Sequence, residues 1–71
     1  MKVRCVTTDN GKRNEAFLSE REAMAYAMRQ YPDHDWGYND SDELEDRLTE
    51  LGEKEQQPQH NRWVTYHIDR T

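Results

Sequence analysis

Cysteine is nearly absent from this chain. A single residue, Cys5, among 71 rules out an internal disulfide and a cysteine-built zinc site. Small secreted domains lean on disulfides, so the count points to a reducing cytosol. Apolar residues are scarce as well: 32% of the chain is hydrophobic against 35% charged, which leaves material for only a thin core. The start, MKVRCVTTDNG, lacks the apolar run of a signal peptide, and no stretch approaches a membrane span. The expectation is a cytoplasmic protein with no membrane partner. With three glycines, none clustered, there is neither a glycine-rich phosphate loop nor a nucleophile elbow. A chain this short buries roughly 60% of its unfolded surface and forms one domain, residues 1–71, of marginal stability. A homodimer, or a partner that binds only the folded form, would add stability by mass action.

What is plentiful is acid, and it is unevenly placed. Residues 33–55 hold ten Asp and Glu against Arg47 and Lys54, a local −8. The remainder holds eight bases and five acids, +3, and the two parts make the overall −5. The chain is a mildly basic frame around one strongly acidic segment.

The clearest local signal is FLSEREAMAYAMRQYP, residues 17–32. Ser19 and Glu22 have capping-box spacing, and Leu18 can staple onto the first turn toward Ala23. Met24, Ala27, Met28 and Tyr31 recur at i, i+3, i+4 and i+7, one face of a helix, which Pro32 ends. Before it, KVRCVTT is strand-prone, and Asn10-Gly11 suits a two-residue type I′ hairpin. That turn pairs Val3 with Leu18 and Cys5 with Ala16 on one face, and Arg4 with Phe17 and Val6 with Glu15 on the other. After a polar loop, DHDWGYN, a second helix is expected from Asp40 or Ser41, with Leu44, Leu48 and Leu51 as its seam. Gly52 either stops it as a left-handed residue or is passed as the helix frays through EKEQQ. RWVTYHID, residues 62–69, alternates as a strand, with Val64, Tyr66 and Ile68 opposite Trp63, Thr65 and His67. The order ββααβ predicts an α+β domain, a three-stranded sheet with both helices on one face. The last strand is expected beside the first; its direction stays open.

Helices on one side leave Val6, Phe17 and Trp63 on the other, edged by Arg4, Thr65 and His67. Aromatics and arginine are enriched at interface centres. Either this is an interaction face, or Phe17 and Trp63 fold over the sheet edge or lie under the Trp36 loop. The acidic segment is either a solubilising face or a surface for a basic partner. The residues chosen as partner-binding are Phe17, Trp36, Tyr38, Glu45, Asp46, Glu50, Trp63 and His67.

No cofactor or metal is expected. Asp33, Asp35, Asn39 and Ser41 start like a calcium loop, but Tyr38 and Leu44 stand where that motif needs glycine and glutamate. His34, His60 and His67 have no short-range ligand pairing. Cys5 alternates inward, away from His67, so no nucleophile and base meet, and the reading is non-enzymatic.

The run KVRCVTT-DNGK-RNEAFLSEREAMAYAMRQYP resembles a plan common in small phage-encoded proteins, a short hairpin feeding a capped Ala-rich helix with a closing strand. Some of these are host-takeover factors that inhibit host machinery. The resemblance implies a regulator or inhibitor of a host protein, while the segregated charge and the leftover aromatics point to a basic partner surface, steered to by the acidic helix and held by aromatics. Two other classes remain. One is nucleic-acid mimicry by the carboxylates, or nucleic-acid binding through Lys2, Arg4, Arg13 and Arg62 with Phe17 and Trp63 as stacking platforms. The other is a self-associating structural subunit.

Overall fold

The structure is a computed structural model and describes residues 1–69; Arg70 and Thr71 lie outside the described residues. Strand β1 (Lys2–Asp9) turns through Asn10 and Gly11 into β2 (Lys12–Ser19). Both turn residues have positive φ, 50° and 85°, as a type I′ turn requires. The register is the one the turn dictates, from Asp9 opposite Lys12 to Val3 opposite Leu18. Helix α1 (Glu20–Gln30) follows without a linker. Its capping box is complete: Ser19 Oγ accepts from the Glu22 N–H, and the Ser19 N–H donates to Glu22 Oε1, each at 3.0 Å. Helix α2 (Ser41–Glu55) is capped by Asp40, whose Oδ1 accepts from the Glu43 N–H at 2.8 Å. A 3₁₀ turn over Pro58–His60 leads into β3 (Arg62–Asp69). Asn61, left-handed at φ 53°, accepts from the Asn10 N–H and so ties the mouth of β3 to the hairpin tip.

Strand β3 lies antiparallel beside β1, giving the sheet order β2-β1-β3. Both helices pack on the side of the sheet that carries Val3, Val64 and Tyr66, and the molecule is only 18 Å through its thinnest dimension. Leu44, Leu48 and Leu51 are at most 1% exposed. Burying each is worth about 1.5–3 kcal/mol, so this short seam supplies much of what a thin core can give.

One detail departs from the sequence reading, and one open choice is decided. Met28 was placed on the buried stripe of the first helix but is 54% exposed; the buried face is Ala23, Met24 and Ala27. Met28 sits at the rim of that face, on the wall of an open hollow with Met24, Ala25 and Trp36. Of the two options at Gly52, the helix runs on to Glu55. Gly52 is buried mid-helix because a Cβ there would lie 2.9 Å from the Val64 carbonyl oxygen.

Candidate functional site

The residues singled out from the sequence do not gather into one patch. Strand alternation puts Arg4, Val6, Phe17, Trp63, Thr65 and His67 on the uncovered face of the sheet. Phe17 and Trp63 are 54% and 46% exposed, so neither folds into the core. They sit on opposite edge strands, Phe17 in the row of Arg4 and His67, and Trp63 in the row of Thr8 and Arg13. Between them, Glu15 accepts from Arg4 at 3.2 Å and from Arg13 at 2.7 Å. These two arginines, Arg13 first, hold the Glu15 carboxyl below its ordinary range and share its single negative charge. The open face is therefore two separated aromatics with a paired charge cluster between them.

Trp36 requires a correction. It was expected at the partner surface but is 6% exposed, a member of the core. Its indole N–H donates to the Tyr31 carbonyl at 2.8 Å, the end of α1 that no helical bond satisfies. The ring packs against His34 at a centroid distance of 4.4 Å. Its loop is fastened to α2 as well. His34 Nε2 donates to Glu50 Oε2 at 2.5 Å, and Arg47 reaches both Glu50 and the Gly37 carbonyl. Glu50, chosen as a surface contact, is thus engaged within the fold. His34 first, then Arg47, keep its carboxyl below the ordinary value. Tyr38 donates to Glu20 at the start of α1 and is half-buried.

A second cluster escaped the sequence reading. Glu55, in the last turn of α2, accepts from Tyr26 at 2.8 Å, Tyr66 at 2.6 Å and Tyr31 at 3.4 Å. One carboxylate thereby ties α1, α2 and β3 together. Burial, then Glu55, pushes the Tyr26 phenol up to about 12 and raises the Tyr66 phenol too. The signal was present: three tyrosines on or beside core-facing positions each need an acceptor for the hydroxyl. These groups tie the elements together, and the Cys5 thiol, paired across from Tyr66, lies against the same cluster. Cys5 is half-buried on the helix side of the sheet, and His67 is on the other. Among the described residues no group of three or more His, Cys, Asp or Glu is placed to hold a metal ion. Nor is any of their helices long and apolar enough to cross a membrane.

Two of the remaining candidates stand at the outer edge of β3. A groove of about 440 Å³ runs between that edge and α2, lined on the helix side by Glu45, Thr49, Gly52, Glu53 and Gln56. Its other wall is Val64, Thr65, Tyr66, His67 and Ile68, five consecutive residues. Successive strand side chains point to opposite faces, so a groove lined by five in a row runs along the strand's edge. Two of the chosen residues, Glu45 and His67, line it, and Trp63 is one residue beyond its end. Asp46 and Glu50 line a shallower hollow along α2 with Arg47, while Phe17 stands on the far side of the sheet.

No family model, curated protein or solved structure matches this chain.

Proposed function

We propose that this chain is a non-enzymatic protein-binding regulator that docks a basic partner along the outer edge of β3. It acts by occupying that partner's surface, in keeping with the resemblance to phage-encoded inhibitors. The observation that carries the reading is the groove, where Glu45 and Glu53 of the acidic helix stand beside the outer edge of β3. A negative wall raises encounter rates with a positive partner and selects against acidic ones. Trp63, exposed at the same edge, supplies an aromatic contact next to it. Nucleic acid is the poorer ligand, because Arg4 and Arg13 are already paired with Glu15 and the net charge is −5.

The test is retention of polypeptides from a nuclease-treated lysate on the immobilised chain, compared with the Glu45→Lys/Glu53→Lys variant. The reading expects a set of basic proteins held by the wild type, eluted by moderate salt and lost from the variant. Equal retention on both, or retention seen only from a lysate left untreated with nuclease, would overturn it.

A further inference from the structure

Resting on that docking reading, we infer that the partner enters the groove as an extended segment, alternating basic and apolar, that hydrogen-bonds to β3 as a fourth strand. The argument starts at the hairpin. In a two-residue turn the flanking residues, here Asp9 and Lys12, form the closing hydrogen-bonded pair. Alternation then directs the odd residues of β1 toward β2 and the even residues toward β3. Their partners Trp63, Thr65 and His67 bond inward to β1, so the N–H and C=O groups of Val64, Tyr66 and Ile68 point to the outer edge. Among the described residues no strand lies beyond that edge. The Val64 carbonyl faces Gly52, which leaves Tyr66 and Ile68 as the backbone an added strand would engage.

The two edges of this sheet differ in how they are guarded. Outer strands discourage pairing with charged side chains, proline or bulges. The β2 edge, KRNEAFLS, carries Lys12, Arg13 and Glu15, whereas β3, RWVTYHID, has no proline and carries its permanent charges only at its two ends, Arg62 and Asp69. The β3 edge, which α2 covers at Val64, is also the one with a groove beside it. An incoming strand would alternate its side chains between the α2 wall, where Glu45 and Glu53 suit lysine or arginine, and the open sheet face, where Thr65 and exposed Trp63 suit apolar groups. Charge also decides against pairing between the β3 edges of two copies, since that would set two acidic helices against each other.

The experiment uses the full chain labelled with ¹⁵N and a synthetic peptide of about eight residues alternating lysine and valine. The expected result is slowed amide exchange at Tyr66 and Ile68 on saturation. Two further peptides carry backbone N-methyl groups on one or the other set of alternate residues. Methylation of the set facing β3 should weaken binding about tenfold, and methylation of the other set should leave it unchanged. Three outcomes overturn strand addition: no binding of the peptide, equal binding of both methylated forms, or binding without protection at Tyr66 and Ile68. In the last case, if Glu45→Lys/Glu53→Lys still weakens the peptide, docking by charge stands and only the strand mode falls. Protection that rises with protein concentration in the absence of peptide would make the occupant a second copy and overturn the basic partner.

Discussion

Gly52 and Val64 meet so closely that a Cβ on residue 52 would lie 2.9 Å from the Val64 carbonyl oxygen. This contact sets how near α2 rides to β3, and with it the depth of the groove between them. Gly52→Ala gains helix propensity worth about 1 kcal/mol, but the clash is with backbone, and forced overpacking costs about 1–3 kcal/mol. The expected balance is a loss of up to about 2 kcal/mol, larger for Gly52→Val, measured by urea unfolding. A stabilised Gly52→Ala variant would mean that the helix does not ride this close.

Acid should loosen the 33–39 loop. His34 and Arg47 depress the Glu50 carboxyl below its ordinary 4.5, so the stability this group contributes is present above about that pH and is lost as pH falls through the folded value. Glu50→Gln should flatten the fall in unfolding free energy between about pH 5 and 3 without removing it, because Glu15 and Glu22 are depressed too. An unchanged slope would mean that the His34–Glu50 pair is not formed in solution.

At the alkaline end the sign reverses. Tyr26 ionises near 10 when unfolded and near 12 when folded, so its contribution is whole below 10 and declines as pH rises between the two values. Tyr66→Phe removes a hydrogen bond to the Glu55 carboxylate and should lower stability at neutral pH by about 1.5–3 kcal/mol. It should also make the alkaline decline shallower, because the Tyr66 phenol is raised by burial and then by Glu55. Stability followed by circular dichroism from about pH 7 to 12 checks both.

Association with a basic partner should slow as salt rises, since the Debye length shrinks from about 30 Å at 0.01 M to about 8 Å at physiological strength. Glu45→Lys/Glu53→Lys should flatten that dependence, whereas reversal at Asp42, on the first turn of α2 and away from the groove lining, should change it less. Stopped-flow association rates across a salt series read this directly.

Local rules carried most of the fold. Asn10-Gly11 set the turn, the turn set the register, and the register sorted every side chain of β1 and β2 onto its face. Ser19 and Glu22 marked where α1 begins, and Asp40 where α2 begins. The errors lie where packing, and not local pattern, decides what a side chain meets. Trp36 sits in a loop rich in turn-formers and polar groups, and nothing local says that its indole will cover the end of α1. Glu55 reads as one more acid in a charged run until the fold brings Tyr26, Tyr31 and Tyr66 to it. The β3 groove needed both the pairing of the last strand beside β1 and the persistence of α2 past Gly52, two choices the sequence left partly open.

Partner affinity measured on two single variants tests the central claim most directly. Thr49→Trp fills the groove from an exposed helix position, and Phe17→Ala removes the aromatic on the far edge of the open face. Binding at the β3 edge predicts a loss of about tenfold or more for Thr49→Trp and little change for Phe17→Ala. A partner that tolerates the filled groove but is lost with Phe17 would place the contact on the open sheet and contradict it.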